Sequence, residues 1–499
     1  MTTPIRFGGI ASGLDTDAII SKLMQVERAP VNKLSQQKQL LMWKRDAYRE
    51  VNTMLTSFRI VTDKLRFSAA YSKQLASSSN TSVVNTTATS SATSGSYTVR
   101  VESLATTALV VGEKKDVNTA VDKISIAADV NISINGTPLT ISAGSTYDTV
   151  MKQINSSGAG VNISYDSINK RFMLSSKATG SGASISINDS SVSAMTEIFN
   201  IKPNNANEIT DSGSKAIVTV NGTQLEMDNN SFEFNGVKFE LKGVSTSDVS
   251  VTVSRDTQNI ASQIKEFVNQ YNNLVDKINA STTAKPERSY LPLTDEEKKE
   301  MTEKQIELWE GKAKTGLLYR DTILKDVLFT THNSLIGKVK GLPDELNTLS
   351  DIGLNFKKYS NGNLSDLGKI EIDEQKLLDA INNNPDGVMN LFTKTSQLDP
   401  QAKGYKEEIG FAERLYNDLD TQIKKIIKKI GSGMISDVMD NSQFGEQLRI
   451  MNDKMDTYER RMLLVENRYY KQFSAMEKAI QKLNSQGSWL SQQLGTGSY

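Results

Sequence analysis

The carboxyl-terminal stretch of residues 448–494 reads LRIMNDKMDTYERRMLLVENRYYKQFSAMEKAIQKLNSQGSWLSQQL. Its large apolar residues recur at alternating steps of three and four, which is the period of a coiled coil. One extra step of four interrupts this period after Tyr469, and such a stutter locally unwinds a supercoil. The apolar positions are Leu448, Met451, Met455, Tyr458, Met462, Val465, Tyr469, Phe473, Met476, Ile480, Leu483, Leu490 and Leu494. The stretch therefore predicts a long helix that packs against another helix.

The amino-terminal segment carries shorter helical stripes of its own. Asp15 or Asp17 is a predicted N-cap, because a carboxylate there faces the positive end of a helix. That helix is predicted to run to about Arg28, where Pro30 interrupts it for want of a backbone N–H, and a second helix is predicted for residues 31–70. The apolar stripes of the two helices are Ile20, Leu23, Val51, Leu55, Phe58 and Leu65. Helical ends around a different middle are typical of an assembly subunit, so a geometric function is favoured over a chemical one.

The middle of the chain has the two-residue period of β-strands. From residue 97 to about residue 255, apolar residues alternate with polar ones. Asn-Gly pairs at 135–136, 221–222 and 235–236 each follow a strand pattern, and this pair is a strong signal for a tight hairpin turn. Residues 76–96 carry no charge and are predicted to be a linker or an exposed sheet edge.

A short motif occurs twice in this β-rich region. Residues 132–139 (ISINGTPL) parallel residues 218–225 (VTVNGTQL). The first copy is followed by a predicted helix at 147–154 and by two further strands. The repeat predicts two small domains, one inserted in the other. The outer domain is formed by residues 76–118 and 212–255, and the insert by residues 119–211.

Helical periodicity returns at residue 256. Thr294 and Glu297 form a predicted capping box, in which each side chain accepts a hydrogen bond from the other residue's free backbone N–H. Further amphipathic helices are predicted at 321–336, 373–393 and 407–430, and Pro385 is predicted to lie in a loop. The stretch 431–445, GSGMISDVMDNSQFG, predicts a hinge before the terminal coil.

Composition narrows the function. The 499 residues hold 58 basic and 58 acidic side chains, so no net charge attracts the chain to nucleic acid. The absence of cysteine excludes thiolate catalysis and zinc ribbons, and the single histidine, His332, excludes two-histidine metal sites. The acidic run Asp295, Glu296, Glu297 and Glu300 fits the charged first turn of a helix better than an acid–base pair. We therefore predict no enzyme activity, no catalytic residue, no cofactor and no metal.

Membrane insertion is not predicted either. No stretch approaches the 18 apolar residues of a membrane span, and residues 1–13 lack the apolar core of a secretory signal peptide. If the protein leaves the cell, we expect a route that reads no cleaved leader.

Several short sequence motifs lie in both ends of the chain and in its central helical region. They are residues 7–17 (FGGIASGLDTD), 27–30 (ERAP), 43–50 (WKRDAYRE), 292–296 (PLTDE) with Trp309, 352–381, and 468–477 (RYYKQFSAME). Together these blocks closely resemble the signature of the flagellar filament cap family, hook-associated protein 2. The resemblance covers most of the chain and is weakest in the β-rich middle.

The resemblance implies coils, a leg and a head. Terminal coils at 1–45 and 446–499 would dock on the filament end, and residues 46–75 with 256–445 would form a helical leg domain. The nested β-rich domains would form a ring-shaped plate. The predicted fold class is thus α+β multidomain, with terminal coiled-coil helices, a discontinuous helical leg and two nested β-rich head domains. Side chains predicted for filament docking or oligomerisation are Leu14, Ile20, Leu23, Leu448, Met451, Met455, Tyr458, Met462 and Val465.

The resemblance also implies partners and a route. The first expected partner is the chain itself, in a ring that is expected to be pentameric. The other expected partners are flagellin, adjacent hook-associated proteins and a cytoplasmic export chaperone. The expected route is the flagellar type III export channel, which leads to the flagellum tip outside the cell. The predicted chaperone and assembly seam is Tyr469, Phe473, Met476, Ile480 and Leu483. The residues predicted to give the leg its compliance are Pro30, Gly431, Gly433 and Gly445.

Three other functions stay open at this point. A hook–filament junction protein would also place coiled termini around β domains. An adhesin would use the outward β domains to bind mucin or a glycan, and this role is compatible with capping. A cell-wall hydrolase travelling with the flagellum is the third alternative, and the missing catalytic constellation argues against it.

Overall fold

The computed structural model describes residues 15–205, 207–357, 368–433 and 440–495. The chain forms two compact units, one of residues 71–259 and one that joins the residues up to 70 with those from 260 onward. The helices are α1 (Thr16–Glu27), α2 (Ala29–Lys64), α3 (Tyr147–Ser156), α4 (Ser190–Phe199), α5 (Thr257–Thr283), α6 (Asp295–Lys299), α7 (Glu303–Ala313), α8 (Thr322–Leu335), α9 (Glu374–Asn383), α10 (Pro385–Thr393), α11 (Tyr405–Glu408), α12 (Phe411–Ile430) and α13 (Gln443–Gly495). The strands are β1 (Gln74–Ser78), β2 (Val84–Ala88), β3 (Gly95–Ser103), β4 (Leu109–Lys114), β5 (Val130–Ile134), β6 (Thr137–Ile141), β7 (Val161–Asp166), β8 (Arg171–Ser176), β9 (Ser184–Ile187), β10 (Ile209–Ser212), β11 (Ala216–Val220), β12 (Thr223–Met227), β13 (Ser231–Phe234), β14 (Val237–Leu241), β15 (Val249–Arg255), β16 (Leu354–Phe356) and β17 (Ile370–Ile372). No helix in these described ranges is both long and apolar enough to cross a membrane.

The outer part of the β-rich unit has two antiparallel sheets. One has the strand order β1-β15-β3-β11-β12 and the other β13-β14-β2. Their shared core draws on residues 83–105 and 216–253. Tyr97 of β3 lies edge-on to Phe239 of β14, with ring centroids 6.2 Å apart, and so joins the two sheets. The predicted alternation in β3 is confirmed, because Tyr97, Val99 and Val101 are buried and the residues between them are exposed.

The inserted part of the β-rich unit has its own core, drawn from residues 108–209. Phe172 of β8 lies near its centre, with the rings of Tyr147 in α3 and Phe199 in α4 at 5.3 and 5.0 Å. Strand β4 belongs to this core, because Val110 pairs with Leu174 of β8. The predicted start of the insert at residue 119 therefore leaves out a strand. The other predicted domain boundaries stay a prediction.

The three predicted Asn-Gly turns are confirmed. They join β5 to β6, β11 to β12 and β13 to β14. The φ angles of Asn and Gly are 51° and 77° at 135–136, 49° and 80° at 221–222, and 50° and 75° at 235–236. Positive φ at both central residues is what a two-residue hairpin turn requires. Residues 76–96 contribute to β1, β2 and β3, so the sheet-edge alternative is right and the linker alternative is wrong.

The helical unit buries the apolar faces of α2, α5, α8 and α12. The predicted stripe of α5 is confirmed, since Ile260, Ile264, Phe267, Val268, Tyr271, Val275 and Ile278 are all buried. The ring of Phe58 in α2 lies 5.3 Å from that of Phe267 and 5.9 Å from that of Tyr271. Helix α12 packs against both α2 and α8.

Three predicted element boundaries are wrong. Helix α2 ends at Lys64 rather than near residue 70. Just after this end, the Arg66 side chain forms an ion pair with Glu413 at 2.7 Å. Pro385 is the first residue of α10 rather than part of a loop, because its fixed φ suits the first helical turn. Helix α13 begins at Gln443, before the predicted start at residue 446.

Candidate assembly site

The two ends of the described chain pair with each other. The ring of Tyr48 in α2 lies 6.0 Å from that of Phe444 at the start of α13. Further along α13, the Tyr470 hydroxyl donates a hydrogen bond of 2.9 Å to Asp17 in α1. Low residue numbers at one end thus meet high numbers at the other. The α1–α2 segment and α13 therefore run antiparallel.

A small apolar cluster holds α1 to α13. Ile20, Met24 and Val465 form its buried centre, with exposed fractions of 2, 6 and 7%. The side chains packed around them are Met462, Tyr469, Tyr470 and Phe473. The structure thus brings together Ile20, Met462 and Val465 of the predicted docking set, whereas Leu23 is 37% exposed. Leu14 lies outside the described residues.

Met24 and Tyr470 also belong to this cluster but were not predicted from the sequence, and only Met24 had a visible signal there. Met24 follows Ile20 by four positions, so it lies on the same face of α1. Tyr470 adjoins the seam rather than lying on it. Its hydroxyl donates a hydrogen bond to Asp17, and the Tyr469 hydroxyl donates one of 3.1 Å to Glu27.

The first part of α13 packs against α2. Leu448 is buried, and Met451, Met455 and Tyr458 are half-buried. A groove beside Met455 and Met462 is closed on its other side by α2 and by residues 292–298. Gln36 spans from α2 to that segment, because its amide nitrogen donates to the carbonyl of Pro292 at 2.8 Å.

The distal part of α13 is different, because its apolar side chains reach solvent. In the predicted seam, Phe473 and Ile480 are half-buried, Met476 is 36% exposed and Leu483 is 64% exposed. Further apolar side chains of α13 that are largely exposed are Ile450, Leu463, Leu464, Trp489 and Leu490. An apolar stripe of this length on one exposed helix is typical of a binding surface.

A buried polar network fixes the point where α12, α2 and α13 meet. The Tyr48 hydroxyl donates to the Asp321 carboxylate, and the Lys429 ammonium donates to the Tyr48 oxygen at 2.5 Å. Burial raises the pKa of Tyr48, and so do its hydrogen bond to Asp321 and the negative charge of Asp321. The Tyr48 hydroxyl therefore keeps its proton and stays a donor. Burial lowers the pKa of Lys429 against the attraction of Asp321. The network holds the Tyr48 ring against Phe444 and so positions the start of α13.

The predicted hinge residues have different surroundings. Gly431 and Gly433 follow α12 with φ of 80° and 76°, which favours glycine. Gly445 is buried in the first turn of α13 against Asp440, so its predicted place in an irregular hinge is wrong. Residues 434–439 of the predicted hinge lie outside the described residues.

A helix interruption is present near its predicted place, but it lies at Arg28 rather than at Pro30. Helix α1 ends at Glu27 and α2 begins at Ala29, with Pro30 in its first turn. Arg28 between them keeps nearly helical dihedral angles of −76° and −15°. The interruption is therefore a single residue long.

The acidic run considered for an acid–base pair lies in and directly after α6, and His332 lies in α8. No group of three His, Cys, Asp or Glu residues among the described ranges is placed to hold a metal ion. Asp295 and Glu297 lie in the first turn of α6, where the predicted capping box with Thr294 is confirmed. His332 lies edge-on to Phe356, 4.4 Å between ring centroids, and burial lowers its pKa. The arrangement can bury helix faces and bind partners.

Two family models match the chain. The model described as the flagellar hook-associated protein 2 C-terminus matches residues 213–485, and the one described as its N-terminus matches residues 12–108. A protein named flagellar hook-associated protein 2 from Halalkalibacterium halodurans is 28% identical over 548 residues, covering 98% of this chain and 99% of the relative. Its namesake from Thermotoga maritima is 23% identical over 622 residues, covering 98% and 96%.

A solved structure has a similar fold. The D1-D2-D3 domains of the flagellar cap protein from Escherichia coli align with a TM-score of 0.51 and 22% sequence identity. The alignment covers 76% of this chain and 98% of that one. At this level of identity the likeness concerns the fold alone.

Proposed function

The chain belongs to the flagellar hook-associated protein 2 family, and we propose that it caps the distal end of the flagellar filament, where it retains exported flagellin and promotes its ordered polymerisation. The structural observation that best supports this function is the antiparallel pairing of the chain's two ends. Ile20 and Val465 hold the pair together, while the distal part of α13 leaves Leu483 exposed. A subunit built this way offers one helix for docking and a separate β-rich unit for other contacts.

Self-assembly is part of the function, since the family forms a cap oligomer over the flagellin filament. We propose a pentameric ring, with the β-rich unit of residues 71–259 as its plate. Such a ring cannot match the filament's symmetry at every subunit, so each leg needs compliance. We assign this compliance to Pro30, Gly431 and Gly433. Replacing residues 431–442 with a continuous helical sequence should slow filament growth, and unchanged growth would contradict the assignment.

The cap acts outside the cell, at the flagellum tip. We propose that the chain reaches it through the flagellar type III export channel. An export chaperone would meanwhile cover Tyr469, Phe473, Met476, Ile480 and Leu483. The exposure of Met476 and Leu483 supports this proposal, because exposed apolar side chains on a helix would associate with other proteins in the cytoplasm before export.

The capping function is tested by deleting the gene in its host. We expect hooks without filaments, with flagellin in the medium, and restoration by a plasmid copy of the full chain. Normal filaments and normal swimming in the deletion strain would contradict the function.

A pair of α13 variants then tests the paired ends. Val465→Asp places a charge in the α1–α13 cluster and should fail to restore filaments. Lys454→Asp also adds negative charge to α13 but at an exposed position, and it should restore them. An immunoblot of the medium for the cap protein separates a capping defect from an export defect. Filaments restored equally by both variants would show that the paired ends are dispensable.

A further inference from the structure

The three Asn-Gly turns have nearly the same backbone, yet their asparagine side chains differ in what holds them. All three asparagines are exposed to water. We propose that Asn235 is a site of spontaneous deamidation in the folded protein, and that neighbouring strands protect Asn135 and Asn221 from the same reaction. The inference does not rest on the proposed function.

The reaction needs only the chain and water. The backbone nitrogen of the following glycine attacks Cγ of the asparagine, a C–N bond forms, and the side-chain nitrogen leaves as ammonia. Water then opens the cyclic imide at either carbonyl. The products are aspartate or isoaspartate, and in both a carboxylate replaces the neutral amide. No oxidant, reductant or enzyme is required.

Asn135 is held on both sides of its amide. Its Nδ2 donates to the carbonyls of Ala159 and Ser184, both at 2.9 Å, and its Oδ1 accepts from the Ser186 N–H at 2.7 Å. Its own backbone N–H donates to the Ser186 carbonyl at 2.9 Å. Cγ can approach the Gly136 nitrogen only after these side-chain hydrogen bonds break.

Asn221 is held by one neighbour. Its Oδ1 accepts from the Thr98 N–H at 2.9 Å, and its backbone N–H donates to the Thr98 carbonyl at 2.9 Å. Asn235 has no corresponding neighbour, since its side-chain amide makes no hydrogen bond within the described part of the chain. The carbonyl of Gly236, by contrast, accepts from the Thr89 N–H and hydroxyl at 2.9 and 2.8 Å. The peptide that follows the nucleophilic nitrogen is thus held by Thr89, while the Asn235 side chain is free to turn towards that nitrogen.

The expected order of rates is Asn235, then Asn221, then Asn135. An ordinary hydrogen bond that must break before a reaction slows it by up to about tenfold. We therefore expect modification at Asn221 to be about three- to tenfold slower than at Asn235, and at Asn135 more than about tenfold slower. An isoaspartate at 235 lengthens the β13–β14 turn by one backbone atom, at the point where Thr89 contacts it.

The test is a time course on the purified full chain at 37 °C and mildly alkaline pH. Trypsin cleavage after Lys215 and Lys238 releases residues 216–238, which contain both Asn221 and Asn235. Fragment-ion masses then assign the added mass to one of them, and the peptide that contains Asn135 is followed in parallel. The same time course in urea is the control, because unfolding removes every tether and should bring the three rates close together.

Each outcome decides the proposal. Preferential modification of Asn235 in the folded chain, with similar rates in urea, supports it. Similar rates at the three sites in the folded chain would overturn it, as would faster reaction at Asn135 or Asn221. No modification of the folded chain, with ready reaction in urea, would also overturn it, because the turn itself would then be protective. A fourth pair, Asn361-Gly362, is outside the described residues and outside the comparison.

Discussion

Helices α12 and α13 follow each other in the chain and carry similar apolar stripes, but they bury them to very different extents. Leu415, Leu419 and Ile426 of α12 are completely buried against its neighbours. In α13, a helix of 53 residues, Leu483 is 64% exposed and Leu490 is 54% exposed. The difference lies in the neighbours, because α12 lies on α2 and α8 while α13 meets other helices only over its first part. An apolar stripe thus shows that a helix binds apolar partners, but it does not show whether those partners belong to the same chain.

The largest effect is expected where the two helices meet. Asp321→Ala removes the acceptor of Tyr48, two N-cap hydrogen bonds and the counter-charge of Lys429. Because the remaining Lys429 charge is largely buried, the free energy of unfolding should fall by about 3–5 kcal/mol. Urea unfolding followed by circular dichroism at 222 nm measures this change.

Asp326→Ala is the matched control for that variant. Asp326 also lies at α8 and pairs with Lys425 at 3.0 Å, but its side chain is 46% exposed. A surface ion pair of this kind contributes about 0–1 kcal/mol. Equal losses in the two variants would mean that the network around Tyr48 has no special role in joining α12 to α13.

The next effect compares the two stripes directly. Leu415→Ala in α12 leaves a cavity in the core and should cost about 2–5 kcal/mol. Leu490→Ala in α13 removes the same atoms from an exposed site and should change stability by less than about 0.5 kcal/mol. The same urea titration measures both. A large loss for Leu490→Ala would show that α13 buries this residue within the chain and would remove the contrast.

Much of this architecture follows from local patterns. The strands of the outer sheets, the three Asn-Gly turns and the α5 stripe were predictable because each depends on residues close in sequence. The Tyr48 network was not, since Tyr48 lies 273 residues from Asp321 and 381 from Lys429. Strand β4 was assigned to the wrong core for the same reason, because its pairing through Val110 and Leu174 is non-local. The seam of α13 was predictable as a seam, but the place where its partner ends was not.

A smaller effect on stability is expected from pH, and it concerns α8, which packs against α12. His332, the single histidine, lies in α8, and burial lowers its pKa below the ordinary 6.5. The unfolded chain therefore binds a proton that the folded chain excludes once the pH falls below about 6.5. Stability should be constant above that pH and decline as the pH falls towards the folded pKa.

Urea midpoints between pH 5 and 8 measure the decline, and His332→Gln should flatten it. Because α13 contains no histidine, its exposed stripe is unaffected by this titration. A decline of the same size in His332→Gln would assign the effect to other groups.

The smallest effect on stability should accompany a large effect on association. The double variant Met476→Ser, Leu483→Ser removes apolar side chains that are 36% and 64% exposed, so stability should change by less than about 0.5 kcal/mol. Sedimentation velocity over a range of concentrations should show self-association of the parent chain and a weaker tendency in the double variant. Lys478→Ser, at an exposed polar position between the two sites, is the control and should behave as the parent. Unchanged association in the double variant would place the assembly surface elsewhere. A loss of stability like that of Leu415→Ala would instead show that the distal part of α13 packs within its own chain, as α12 does.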